Sequence, residues 1–139
     1  MIKRFMKKFG KRKGFSLVEL LIVIAIIGII ATIAIPILLG ARRNAIREKA
    51  RNSLRSLISA EQAYYAANGT YTDLAGLRTP PAPQAPYIDA QTESGDLGPE
   101  ITIAVTASDV STFSLSCATV DADIPDFTAD ETGEIVEIP

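Results

Sequence analysis

"GFSLVELLIVIAIIGIIATIAIP", residues 14–36, decides the architecture of the chain around it. No residue from Leu20 to Ala41 is charged. Wound into a helix at ~1.5 Å per residue, that stretch reaches across the ~30 Å hydrocarbon core of a bilayer. Glu19 stands at its near border, where a carboxylate costs free energy and calls for a partner or a use. The simplest reading is a side chain that snorkels to the interface, since Glu19 lies within a turn of the helix start.

The charges outside this stretch are segregated. Met1 to Gly14 carries seven basic residues, Lys3, Arg4, Lys7, Lys8, Lys11, Arg12 and Lys13, and no acidic one. Residues 15–139 hold seven basic against sixteen acidic residues, a net −9. Arg42, Arg43, Arg47, Lys49, Arg51 and Arg55 follow the apolar run closely, and only Arg78 is basic after them. The basic start outweighs this second cluster, so the N-terminus is expected in the cytoplasm and the acidic portion outside it. A cleavable secretory signal fits poorly, because the run is too long and "IAIPILLGARRN" offers no Ala-x-Ala site. The apolar segment is therefore expected to remain in the mature protein.

Beyond Pro36 the helical pattern continues. Ile46, Ala50, Leu54, Leu57 and Tyr64 recur at three- and four-residue spacing, with Glu61 near the stripe. Asn68 and Gly69 supply a left-handed end. Gly28, Pro36 and Gly40 weaken the helix, and Pro36 removes one backbone hydrogen bond, so a kink or local opening is expected between Gly28 and Pro36. Residues 69–99, with "RTPPAPQAPY", read as a long extended connection.

Two alternating stretches follow, "ITIAVTA" (101–107) and "TFSLSCAT" (112–119), with Ile101, Ile103, Val105, Phe113, Leu115 and Cys117 on one face. "DFTADETGEIVEI" adds a short strand, a turn at Gly133 and a last strand bearing Ile135 and Ile138. The expected fold is α+β: a long N-terminal helix, with an apolar membrane-spanning half and an amphipathic half, packed on an antiparallel sheet of three or four strands. The boundaries are a leader 1–14, an apolar helix 15–41 and a globular portion 42–139. Within the last, the helix reaches about residue 68, a loop spans 69–99 and the sheet 100–139.

Catalysis finds little material. The chain has no histidine, no phosphate-binding glycine loop, no cysteine cluster and no evident base to activate a serine. An enzyme is not expected. The lone Cys117 lies on the apolar face of its strand and reads as a small buried hydrophobe. "ARRNAIREKAR" carries the signature of a phosphate-binding patch and equally of a solvated or intersubunit helix face. With no aromatic platform beside it, packing against acidic neighbours is favoured over direct contact with nucleic acid. Asp121, Asp123, Asp126 and Asp130 bring oxygen ligands close in sequence, as a calcium site requires. Their spacing is not that of an EF-hand, and solvated acidic turns are favoured, so no cofactor is expected. Asn68-Gly69-Thr70 fits a glycosylation sequon, which the helix end already explains.

A basic leader ending in Gly14, then "FSLVELLIVIAIIGIIATIAIP", resembles the class III signal and N-terminal helix of bacterial type IV pilins and their pseudopilin relatives. "SAEQAYYAANGTYTDLAGL" also resembles the end of the long helix in many pilins. The resemblance implies that a prepilin peptidase cuts between Gly14 and Phe15 and methylates the new Phe15 amine. It implies a precursor in the inner membrane with its C-terminal domain outside the cytoplasm, and then an extracellular filament of identical subunits, used in adhesion, motility or DNA uptake. In the filament Glu19 would meet the Phe15 ammonium of a neighbouring subunit, an answer to the carboxylate at the membrane border sharper than snorkelling. An assembly platform protein and an ATPase would drive the process. The nearest alternative is a pseudopilin of a type II secretion system. One from another class is a single-span membrane-anchored binding protein.

Overall fold

A computed structural model describes residues 14–138; the expected leader 1–14 lies outside them except for Gly14. The chain divides into two compact units, with the break between Leu39 and Gly40. One helix, α1 (Leu17–Asn68), contributes to both.

In the first unit α1 is helical without interruption through Gly28 and Pro36. The local opening expected there is not present in the single chain. Proline at position 36 withholds one N–H, the donor that would meet the Thr32 carbonyl, while the turns on either side keep theirs. The Thr32 hydroxyl donates to the Gly28 carbonyl at 2.8 Å, occupying an oxygen of the preceding turn. No residue from 14 to 45 is buried.

The second unit is a helix on a sheet. β1 (Ile101–Ser108), β2 (Phe113–Thr119), β3 (Asp126–Asp130) and β4 (Ile135–Ile138) form an antiparallel meander in that spatial order. β1 and β2 pair from Ile101 with Thr119 to Ser108 with Phe113, with a bulge between Val105 and Ala107. Side chains alternate across a strand, so Ile101, Ile103, Phe113, Leu115, Cys117, Phe127 and Ala129 share the inner face, and all are buried. The α1 stripe supplies the other half of the core. Ile46, Ala50, Leu54, Leu57, Ile58, Ala60 and Tyr64 join the same cluster. Both periodicities meet the expectation of an α+β fold, and the sheet has four strands.

The helix ends where the sequence says. Gly69 takes φ +73° and its N–H donates to the Tyr65 carbonyl at 2.7 Å. The connection that follows is less extended than expected, because it holds α2 (Leu74–Arg78) and α3 (Ala90–Glu93). An aspartate starts each one: Asp73 accepts from the Gly76 N–H at 2.8 Å and Asp89 from the Thr92 N–H at 2.7 Å. These caps satisfy donors that a short helix otherwise leaves to water. Leu77 from α2 is fully buried. The prolines between the two helices keep that stretch non-helical, as their fixed geometry requires. Gly95 is needed for close approach. At φ +70°, an added Cβ would lie 2.2 Å from the Ile103 carbonyl oxygen.

Candidate functional site at the start of the long helix

Ser16 and Glu19 build the N-terminus of α1 between them. The Ser16 hydroxyl accepts from the Val18 N–H at 3.3 Å, and Glu19 Oε2 accepts from the Ser16 N–H at 2.9 Å. The Ser16 carbonyl takes the first helical bond, from the Leu20 N–H at 3.2 Å. Glu19 thus completes the return half of a capping box, while the Ser16 hydroxyl serves the Val18 N–H rather than that of Glu19, and the negative carboxylate also sits at the positive end of the helix dipole. The sequence carried that signal, but the apolar run around it made Glu19 look like a foreign body rather than a cap.

Phe15, immediately before the box, is 80% exposed. At Gly14 a side chain would meet nothing within 4 Å. The described residues therefore place no steric demand for glycine there. Gly28 is likewise in open space. Beyond the cap, the helix presents large apolar side chains to its surroundings, Leu20, Ile24, Ile27, Ile30 and Ile37 among them, each more than half exposed. It is long and apolar enough to cross a membrane by length and composition.

The other candidates are used within the fold. The basic cluster finds partners in its own chain. Arg42 pairs with Glu100 at 2.8 Å, Arg43 with Asp121 at 3.5 Å and with Asp123, and Arg51 with Glu48 at 3.2 Å and with Glu137. Lys49 donates to the Leu97 carbonyl at 2.6 Å and Arg47 to the Asp123 carbonyl at 3.3 Å. The expected reach toward acidic surface on a neighbour thus has a competitor nearer home, which sequence could not reveal because the partners lie far along the chain.

The acidic residues are equally occupied. Asp121 and Asp123 face Arg43, Asp126 accepts from the Thr119 N–H at 2.8 Å, and Asp130 from the Thr132 N–H at 2.9 Å. Among the described residues no three acidic, cysteine or histidine side chains converge as metal ligands. Cys117 is free and fully buried, and burial pushes its thiol up to about 11. Asn68 donates its amide to the Tyr64 carbonyl and exchanges hydrogen bonds with Gln84 at 3.0 and 3.1 Å, so its side chain works in the fold.

A capped, exposed apolar helix start on an α+β domain is the arrangement that a resemblance to type IV pilins and pseudopilins implies, and the family similarity falls largely on that helix. Residues 10–35 match the family described as Prokaryotic N-terminal methylation motif. The chain is 37% identical over 65 residues to the type IV major pilin protein PilA of Myxococcus xanthus, covering 47% of this chain and 30% of that one. It is 45% identical over 60 residues to the type IV wide pilus major component PilA4 of Thermus thermophilus, 43% of this chain and 46% of the relative. It is 38% identical over 66 residues to the type II secretion system core protein G of Vibrio cholerae, 48% and 45% of the two. The match thus spans half or less of each of these curated relatives. An apolar N-terminal helix with this motif fits membrane anchoring.

Proposed function

We propose that the chain is the structural subunit of a type IV pilus filament on the cell surface. Prepilin peptidase removes the leader between Gly14 and Phe15 and methylates the Phe15 amine. Before assembly the helix 15–41 anchors the subunit in the inner membrane, with the domain outside the cytoplasm. A platform protein and an ATPase then transfer it to the filament, because this chain has no nucleotide-binding motif of its own. The observation that carries the reading is the exposed apolar half of α1 led by the Ser16–Glu19 cap. Extraction from lipid is offset when the same surface is covered by other helices, at ~25 cal/mol per Å² of apolar area. In the filament Glu19 meets the Phe15 ammonium of the next subunit, and crowding opens α1 between Gly28 and Pro36, where helix propensity is weakest. A glycine at 14 that meets no side-chain space limit among the described residues suits a peptidase that must reach the backbone.

Electron microscopy of surface filaments, with mass spectrometry of their subunit, tests this. Expected are filaments whose subunit lacks residues 1–14 and carries a methyl group on Phe15. A subunit of full precursor mass, monomeric in the membrane, would instead support the single-span binding protein.

The type II secretion pseudopilin remains the second reading, favoured by the similarity to core protein G over 45% of that protein's length. A melting point raised by calcium would support it.

A further inference from the structure

Glu61 is fully buried and is the one charged residue type in the core of the described chain. Oε2 accepts from the Thr72 N–H at 3.2 Å, and Oε1 has no hydrogen-bond partner. None of the ion pairs among the described residues reaches it. The titratable groups around it offer no positive charge. Asp73 and Tyr71 stand on the segment after the helix, and Tyr64 and Tyr65 follow on its own helix within about a turn. Glu131, near the β3–β4 turn, acts on Tyr71.

A buried carboxylate without a cation is unfavourable when ionised, so the group either keeps its proton or draws in water. Burial pushes Glu61 up to about 7, against the pull of the Thr72 N–H and with a further push from Asp73. The Thr72 contact joins the middle of the helix to the short segment leading into α2. That segment also carries Tyr71, which stacks on Tyr65 at 4.6 Å between ring centroids and meets Phe113 edge-on at 4.8 Å. Among the described residues, this segment is the one hydrogen-bonded to the Glu61 carboxyl.

We propose that Glu61 is a proton-operated latch: protonated, it stays buried beneath the segment around Thr72, and ionised, it draws in water, which releases that segment and parts Tyr71 from Tyr65. The device depends on the domain, not on the filament, so it holds for a pilin, a pseudopilin or a membrane-anchored monomer alike. The sign follows from the direction of the shift. A carboxyl raised in the folded state contributes stability that is fully present below its unfolded value and is lost as pH rises through its folded value.

The test uses the full chain in detergent micelles with isotope-labelled glutamate, from about pH 5 to about pH 8. Nuclear magnetic resonance reads the Glu61 carboxyl, and hydrogen exchange reads the Thr72 amide against the Leu77 amide. Expected is a Glu61 titration near 7, with Thr72 losing about tenfold more protection than Leu77 over the same transition. In Glu61→Gln the excess loss at Thr72 should vanish. A Glu61 titration near the ordinary glutamate value would overturn the latch, as would Thr72 and Leu77 losing protection in parallel. Should the variant fail to fold, the two wild-type measurements decide alone.

Discussion

The Ser16 N–H donates to the Glu19 carboxylate at 2.9 Å, so the residue proposed to receive a neighbour's ammonium already has a partner in its own chain. The two uses are compatible, because a carboxylate has two oxygens and about four lone-pair sites, of which the capping box takes one. They also explain the placement. The cap requires the carboxylate three residues after Ser16, and the same spacing keeps it within a turn of Phe15.

Cap and charge come apart in two substitutions. Glu19→Ala removes both, and Glu19→Gln keeps a side chain able to complete a capping box without the charge. Membrane insertion and cleavage after Gly14 should survive in both variants. Filaments should be lost in both, since an ammonium entering an apolar core without its counter-charge costs about 3 to 5 kcal/mol. Counting surface filaments at matched subunit levels checks this. Wild-type numbers from Glu19→Gln would mean that the cap alone matters.

In the domain, the stripe should outweigh the ion pairs. Leu54 is fully buried, and Leu54→Ala should cost about 2 to 5 kcal/mol. Arg43 is 41% exposed, and Arg43→Ala should cost less than about 1 kcal/mol despite its two acidic partners. Denaturant unfolding of both variants measures the contrast, and a reversed order would assign the stability to the charged surface.

Asp109 accepts from the Ser111 and Thr112 N–H groups, both at 2.8 Å, and these bonds hold its carboxyl below its usual range. Asp89 is lowered in the same way by Thr92. For a lowered carboxyl, the stabilising contribution is present above the unfolded value and disappears as pH falls through the folded one. The melting point should therefore drop in acid, opposite in direction to the effect of Glu61 near neutrality. Asp109→Asn, which keeps the turn geometry, should flatten part of the acid slope in a pH series of thermal melts.

Cys117 should not react with a thiol reagent while the domain is folded, because its sulfur is buried and its thiolate disfavoured. Labelling should appear only with global unfolding. Rapid labelling under native conditions would show that β2 is accessible from the helix side.

The core was legible because each half follows a single period. Ile46, Ala50, Leu54 and Leu57 step along one helix face, and Phe113, Leu115 and Cys117 alternate on a strand, so local spacing alone identified the inner surfaces. The short helices after Asp73 and Asp89 escaped notice because a single turn has no periodicity, and only the cap betrays it. Glu48 lies within helical spacing of Arg51, but Glu100, Asp123 and Glu137, which pair with Arg42, Arg43 and Arg51, lie 58, 80 and 86 residues away, beyond any spacing rule. Glu61 sat beside the stripe in the sequence, but its burial depends on the fold of the segment around Thr72. At the candidate site the motif singled out Gly14, Phe15 and Glu19, and the Ser16–Glu19 spacing of a cap stood in the sequence as well, masked by the apolar run around it.

The meander also has a temporal meaning. Each strand pairs with the next in the chain, and the most distant ladder partners, Ile101 and Thr119, stand 18 residues apart. Hairpins of that reach form in microseconds, and a topology of near neighbours lowers the entropy barrier to the sheet. The long-range step is bringing the α1 stripe, which ends at Tyr64, onto an inner face that begins at Ile101. Folding of the domain is thus expected to turn on one closure event, with the sheet as a prefabricated surface and the helix as the piece that arrives last.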